Sequence, residues 1–365
     1  MSRADELAEL VTGESLADEP FHRWLPFKQA FSPELVRLFL SEARGLDLAD
    51  GGRPLLDPFA GCGTLAVECA RRGLPAIGIE ALASLVFVAS AKSATAVPDL
   101  PDLADCRTWQ QAAQRIELPV HRAALICAVA RRHTSDGKPC KNAPPLLNAL
   151  DEVVRMMRQD VRRPLAPAPR IEQGDARRLE PIADGAIGGI LTSPPYLSRL
   201  DYTRATRPHE MVYRYWHAGR ELDRRRHDQI RAHPKAYRQR WTHSMPPAVV
   251  ESCDALIAAG QKKLAGVVRS YFEDIFNAVG QCHRVLADGA PCWVVVGGAR
   301  LKGVYVPSDA ILAEFAQRHG FEVVGFRVAR RLIPTGRKLG GLSDVAPRES
   351  ILVLRETTGA TDGTS

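Results

Sequence analysis

No run of 18 or more apolar residues occurs in the 365-residue chain, so no transmembrane helix and no membrane partner is expected. Residues Met1 to Glu19 are polar and acidic and lack the charged start and apolar centre of a secretion signal. The eight cysteines form no short regular framework, which argues against a disulfide scaffold and for reduced thiols in the cytoplasm. Cys127, His133 and Cys140 are irregularly spaced and lack a fourth ligand, so no metal is expected. Internal repeats are absent too, which sets solenoids aside. What remains is 45% hydrophobic and 25% charged, an ordinary globular composition for one large domain with insertions or two smaller ones.

The net charge of +7 is unevenly spread. Between Arg199 and Arg240 twelve bases face five acids, a local excess of +7, as much as the whole chain carries. Tyr202, Tyr213, Tyr215, Trp216, Tyr237 and Trp241 are interleaved with them. Guanidinium groups bind phosphates and aromatic rings stack on bases, so this composition suits a nucleic-acid surface; a solvated arginine-rich helix pair has the same composition.

Ser32-Pro33-Glu34 predicts a helix start running to about Ala43, because serine caps, proline fits the first turn and glutamate faces the positive helix end. Then follow a short strand at Leu55-Leu56, a glycine turn, a helix from Leu65 to Arg72 stopped by Gly73, a strand from Ala76 to Ile79 ending at Glu80, and a helix from about Leu82 to Ala94. This alternation opens a doubly wound α/β fold. Residues 97–168 break the rhythm as a mainly helical insertion, with helices expected at Val120 to Arg132 and Pro145 to Arg162. Strands resume at Arg170 and at Ala186 to Leu191. Residues 197–266 form a second, basic, largely helical insertion. A helix from Val267 to Leu286, a strand from Pro291 to Val296, a helix after Pro307 and an antiparallel hairpin of Phe321 to Val328 with Ser350 to Leu354 complete a mostly parallel sheet. Residues 1–20 read as a leader and 357–365 as a disordered tail.

Asp57-Pro58-Phe59-Ala60-Gly61-Cys62-Gly63-Thr64 follows the first strand. Its glycines allow a sharp turn and leave room for a ligand against the backbone. The string is not GxGxxG, so a dinucleotide is disfavoured. Glu80, at the tip of the next strand, is placed to accept from two ribose hydroxyls. Asp175 and Ala176, after a later strand, suit an adenine amino group, and Asp57 suits an ammonium. An adenosine with a cationic amino-acid tail is S-adenosylmethionine.

Ser193-Pro194-Pro195-Tyr196 follows a buried strand. An exocyclic amine on a nucleobase is a poor nucleophile because its lone pair is delocalised into the ring. Acceptors that grip its N–H bonds favour a pyramidal nitrogen whose lone pair can reach a methyl group. The Ser193 hydroxyl and the Pro194 carbonyl supply such acceptors, Pro195 adds rigidity, and Tyr196 offers a ring for a base drawn out of the helix. Pro291-Cys292 invites comparison with a cysteine nucleophile, but it opens a strand and reads as core.

These two motifs resemble those of the amino-group DNA methyltransferases, and the Ser-Pro-Pro-Tyr form is most similar to the cytosine-N4 branch. The resemblance covers about residues 22–96, 169–200 and 267–355, with Cys62 where serine is common. It implies a Rossmann-like methyltransferase sheet, S-adenosylmethionine as cofactor and double-stranded DNA as substrate. It also implies a catalytic domain of residues 21–96, 169–196 and 267–356. Phe27 and Lys28 resemble the segment beside the methionine end. A restriction–modification setting with a cognate endonuclease, or an epigenetic role, follows from the resemblance alone, and a monomer or homodimer is expected. The insertions match no recognition domain. Residues 197–266 are favoured as the DNA reader, with 101–165 second, through Arg199, Tyr202, Arg204, Arg224, Arg225, Arg226, Arg238 and Arg240, with Arg330 and Arg331 of the last hairpin contacting phosphates. Adenine-N6 methylation, methylation of a base amine in RNA, and a catalytically silent nucleic-acid-binding protein are the alternatives.

Overall fold

The computed structural model describes residues 3–25, 30–43, 45–46, 52–134, 137–180, 182–197, 202–217, 229–233, 241–331 and 347–357, without the side chains of 3–6 and 202–203. Strands β1 (Leu55–Asp57), β2 (Ala76–Glu80), β3 (Arg170–Gln173), β4 (Gly189–Thr192), β5 (Pro291–Gly297), β8 (Phe321–Arg331) and β9 (Arg348–Glu356) form one seven-stranded sheet in the order β3-β2-β1-β4-β5-β9-β8. The first five are parallel; β9 runs antiparallel to both β5 and β8. The predicted last hairpin is therefore antiparallel, but its second strand lies inside its first. A small separate hairpin, β6 (Ala299–Leu301) with β7 (Val304–Val306), turns at Lys302-Gly303, both at positive φ.

Successive strand residues face opposite sides, as a pleated strand requires. Leu56, Ile190, Cys292, Val294 and Leu352 join a core with the helices Lys262–Val285 and Ser308–Arg318. Leu55, Leu191, Trp293, Val295 and Ile351 pack on the other side against the helices Pro33–Glu42 and Thr64–Ala70. The first of these helices starts as its sequence dictates, with the Ser32 side chain accepting from the Leu35 amide at 3.2 Å and proline in the first turn. The second ends in a left-handed Gly73, and the Leu74 amide returns to the Cys69 carbonyl at 3.0 Å.

Strand β4 opens three residues later than its apolar run predicts. Ile187 exchanges backbone hydrogen bonds with Val285 and Ala287 at the end of the long helix, so it is unavailable to the sheet. The helix itself starts at Lys262, five residues before the predicted Val267.

The two insertions meet. Helices Trp109–Arg115, Pro119–Arg131 and Leu146–Asp160 share one apolar cluster with Val212 of the helix Arg207–Trp216. Ile230, Ala232, Met245, Val249 and Leu256, later in the second insertion, belong instead to the core around Lys262–Val285. The described residues of 197–266 are thus divided between two packing environments. Asp160 draws the N-terminal segment onto the first insertion: it accepts from the Phe21 amide at 2.7 Å, the Trp24 indole at 2.8 Å and the Arg23 guanidinium at 2.5 Å.

Candidate active site

In a doubly wound sheet, ligands bind beyond the carboxyl ends of the strands, where the strand order reverses. Here that point lies between β1 and β4, which are paired with Leu56 opposite Ile190. The glycine turn leaves β1 and Ser193-Pro194-Pro195-Tyr196 leaves β4, so the sheet brings both sequence motifs to one crevice. A hydrogen bond ties their roots: the Thr192 hydroxyl donates to Asp57 Oδ1 at 2.7 Å, both groups buried.

Short contacts set the glycine turn. Asp57 Oδ1 also accepts from the Phe59 amide at 3.0 Å, the Ala60 amide donates to the Ile79 carbonyl at 3.0 Å, and the Gly63 amide to the Ala60 carbonyl at 2.7 Å. Gly61 and Gly63 adopt φ of 53° and 80°, which L side chains resist. Pro58 and Thr64 are buried and Phe59 is half-buried. Beneath the turn, the fully buried Lys92 donates from Nζ to the Cys62 carbonyl at 2.5 Å. Burial lowers its ammonium below the usual lysine range. Gly78 lets β2 pass close by, since a Cβ there would stand 2.6 Å from Ala60 Cβ and 2.5 Å from Ile171 Cδ1.

Two carboxylates face this turn. Glu80 accepts from the Gly61 amide at 2.9 Å and the Leu82 amide at 2.8 Å, one on each oxygen. Burial pushes Glu80 up to about 7 against those hydrogen bonds, and the charge of Glu210 adds to the rise. Burial likewise pushes Asp57 up to about 7, opposed by Thr192 and Phe59 and reinforced by Glu80. Desolvated acids of this kind are stabilised in their ionised form by a bound cation. Glu210, 1% exposed, reaches in from the helix Arg207–Trp216 and accepts from the Ser84 amide at 3.2 Å, capping the helix Ala83–Ser90 that follows Glu80.

Asp175 is more committed than its sequence context implied. Arg177 grips both its oxygens, at 2.9 Å through Nε and 2.7 Å through Nη2, and continues to Asp274 at 3.2 Å, which Arg231 meets at 2.8 Å. Burial alone would lower Arg177, but Asp175 and Asp274 outweigh it and hold it above the usual guanidinium range. Ala176 is buried beside this chain.

In the second motif Pro194 is buried, Ser193 and Pro195 are half-buried, and Tyr196 is 9% exposed. The Ser193 hydroxyl has no hydrogen-bond partner among the described residues, whereas the Tyr196 hydroxyl donates to the buried Glu349 at 2.6 Å. Arg330, expected on phosphate, gives its Nε to the other Glu349 oxygen at 2.5 Å; Arg331 is exposed. Arg204 is exposed on the helix Tyr202–Ala205. Phe27, Lys28, Arg199, Arg224, Arg225, Arg226, Arg238 and Arg240, and the side chain of Tyr202, lie outside the described residues.

Two of the described aromatics of the second insertion serve packing. Tyr213 lies against Phe87 at 5.6 Å, and the Trp216 indole donates to the Ala113 carbonyl at 3.1 Å beneath Arg122. Tyr215 and Trp241 stay exposed, at 40% and 37%. His133 and Cys140 line a cavity of about 430 Å³ between the insertions, with Trp109, Arg132, Arg207 and Met211, apart from the strand ends. Among the described residues no metal-ligating cluster occurs. Cys292 is buried in β5 with its thiol pushed well up by burial, a core position.

Thr192, Lys92, Glu210 and Glu349 were not singled out by sequence. Thr192 adjoins the Ser-Pro-Pro-Tyr string and was within reach of a closer reading; the others carry no local signal.

No family model matches the chain. The Type II methyltransferase M.AvaI of Nostoc sp. (strain PCC 7120 / SAG 25.82 / UTEX 2576) is 35% identical over 74 residues, 20% of this chain and 14% of that protein. M.BsoBI, a Type II methyltransferase of Geobacillus stearothermophilus, matches at the same identity and extent. This chain therefore matches only about a seventh of the length of these relatives. Among solved structures, TrmN from Thermus thermophilus aligns over 89% of this chain and 48% of its own, at 13% identity and a TM-score of 0.34. The class defined by the chain itself is a Rossmann-like α/β fold with a mostly parallel sheet and one reversed strand near its edge. Among the described residues no helix is long and apolar enough to cross a membrane.

Proposed function

We propose that this protein is a DNA methyltransferase that moves the methyl group of S-adenosylmethionine to the exocyclic N4 of cytosine. The observation carrying the reading is the Thr192–Asp57 hydrogen bond at 2.7 Å, which roots the cofactor turn and the amine clamp on each other. The residues fit the cofactor. Gly61 and Gly63 hold the turn at positive φ, and the buried Asp57 and half-buried Glu80, both near a pKa of 7, suit positive charge and hydroxyl donors. The local match to Type II methyltransferases supports the same reading.

When bound, the cofactor supplies an electrophilic methyl group. Asp57 holds its ammonium, Glu80 accepts from its ribose with the lone pairs left by Gly61 and Leu82, and the Asp175–Ala176 turn takes its adenine edge. Ser193 and the Pro194 carbonyl accept the two N–H bonds of the target amine. Their grip concentrates the lone pair on nitrogen and aims it, so rate enhancement comes from alignment and from acceptors fixed in place. Bringing a paired cytosine here requires extruding it from the duplex, at a cost of a few kcal/mol. Arg204 and Arg331, with the arginines of residues 199–240, supply backbone contacts. A partner endonuclease is an expectation of the same resemblance; a cytoplasmic location rests on the scattered cysteines, and a monomer or homodimer is expected.

Tritiated-methyl transfer to DNA and to RNA, followed by nucleoside mass spectrometry, tests the reading. N4-methylcytosine in DNA is expected. Only N6-methyladenine, only labelled RNA, or no transfer would each replace it with one of the alternatives. Ser193→Ala should reduce kcat by at least about a hundredfold, the scale of losing one fixed hydrogen-bonding group from a transition state, while cofactor affinity stays within about twofold.

A further inference from the structure

The Ser-Pro-Pro-Tyr segment is pinned at both ends. Just before it, Thr192 is bonded to Asp57 on β1; at its far end, the Tyr196 hydroxyl is bonded to Glu349 on β9. Both anchors are carboxylates, 3% and 2% exposed. Between them the Ser193 hydroxyl has no hydrogen-bond partner among the described residues. We propose, resting on the function given above, that Glu349 is a positioning residue of the reaction: its carboxylate fixes the Tyr196 ring, and through it the clamp that holds the target base.

The sheet explains why a carboxylate can do this. Glu349 is opposite Gly297 of β5 and Arg330 of β8, at the active-site end of the sheet. One oxygen takes the Tyr196 hydroxyl at 2.6 Å and the other takes Arg330 Nε at 2.5 Å, so the guanidinium supplies the counter-charge that a buried carboxylate needs. A tyrosine ring has two rotatable side-chain bonds, and fixing its hydroxyl fixes its plane. Two prolines then transmit that fixed end to the Pro194 carbonyl, because their φ angles are set by the ring. With one oxygen on Tyr196 and the other on Arg330, Glu349 acts through Tyr196.

The test uses the full chain with Glu349→Gln, which keeps the shape, Tyr196→Phe, which keeps the ring, and the double variant. Glu349→Gln should lower kcat for DNA methylation tenfold or more, with cofactor affinity by calorimetry within twofold, which also shows that the variant folds. Tyr196→Phe should lose a comparable amount, and the double variant no more than the worse single one, as expected of residues acting as a unit. In 13Cζ-tyrosine NMR, the resonance missing from Tyr196→Phe should shift in Glu349→Gln whether or not methyl is transferred. Full kcat in Glu349→Gln, losses that multiply in the double variant, or an unmoved resonance would overturn the proposal. Absence of transfer by the wild-type chain, with the resonance shifted, would overturn the assigned reaction instead.

Discussion

Asp57 predicts a pH dependence of cofactor affinity that an ordinary aspartate would not give. Buried in the unbound protein, it titrates at about 7 rather than the usual 3.8. Holding an ammonium requires its ionised form, so binding must expel a proton at any pH below about 7. Affinity is then proportional to the ionised fraction. For a group at 7 that fraction rises about eightfold from pH 5.5 to 6.5 and about twofold from pH 7 to 8. If Glu80, also near 7, discharges its proton on binding, the factors multiply and approach about sixtyfold over the lower interval. Carboxylates at their usual values would leave affinity flat above pH 5.5 or so. The ligand's own ammonium loses charge near pH 8, so the informative window is about 5.5 to 7.5.

Isothermal titration calorimetry of S-adenosylmethionine in two buffers of different ionisation enthalpy counts the protons directly. At pH 6.5 release of about 0.75 proton is expected from Asp57 alone, and about twice that with Glu80. Asp57→Asn should bind more weakly at every pH and release one group fewer. Stability runs the opposite way. Both folded-state values lie above the unfolded ones, so the unliganded fold binds more protons than the unfolded chain and loses stability as pH rises from about 4 to about 7. At pH 8 the Asp57 contribution is unfavourable by up to about 4 kcal/mol, and unliganded Asp57→Asn should melt higher there than the wild type. Flat affinity across the window, or full proton release retained in Asp57→Asn, would refute the assignment.

Two further perturbations follow from the same contacts. Thr192→Val removes the hydroxyl that favours ionised Asp57, so the affinity midpoint should move to higher pH, and loss of a hydrogen bond to a charged group should weaken cofactor binding by about 1.5–3 kcal/mol; an unchanged calorimetric profile would count against it. Gly78→Ala drives a methyl into Ala60 and Ile171 under the glycine turn, and overpacking of about 1–3 kcal/mol should appear as a lower denaturant midpoint with weaker cofactor binding, whereas a neutral effect would refute the close approach of β2 to the turn.

The alternation of strands and helices was legible because each half of it is local. Ser32-Pro33 starts a helix, Gly73 stops one, and four parallel strands read as short apolar runs. The two motifs were legible because their spacing is itself the signal. Strand pairing is not local. Residues Phe321 to Val328 and Ser350 to Leu354 read as a hairpin, but nothing in them says that the second strand slips between the first and β5. The hairpin at Lys302-Gly303 was missed because three-residue strands carry too short an alternation. In the second insertion, arginines beside aromatics read as one exposed surface. Trp216 instead bonds to Ala113 of the first insertion and Tyr213 packs on Phe87 of the helix Ala83–Ser90, roles that require knowing the neighbour.

The charged residues around the crevice escaped for a deeper reason. Asp57 and Glu80 are legible because they end strands beside a glycine turn, while Lys92, Glu210 and Glu349 are of residue types that are usually exposed and carry no local signal of burial. All three are buried, and each spends its polar atoms on backbone or side chains at the strand ends: Lys92 on the Cys62 carbonyl, Glu210 on the Ser84 amide, Glu349 on Tyr196. A buried charge destabilises a fold unless it is paired, so such a group is retained where it holds something in place. Three of them converge on the glycine turn, the helix after Glu80 and the Ser-Pro-Pro-Tyr segment. On the proposed function that convergence supplies the rigidity alignment catalysis demands, and it exists only once residues up to 153 positions apart in the chain have been folded together.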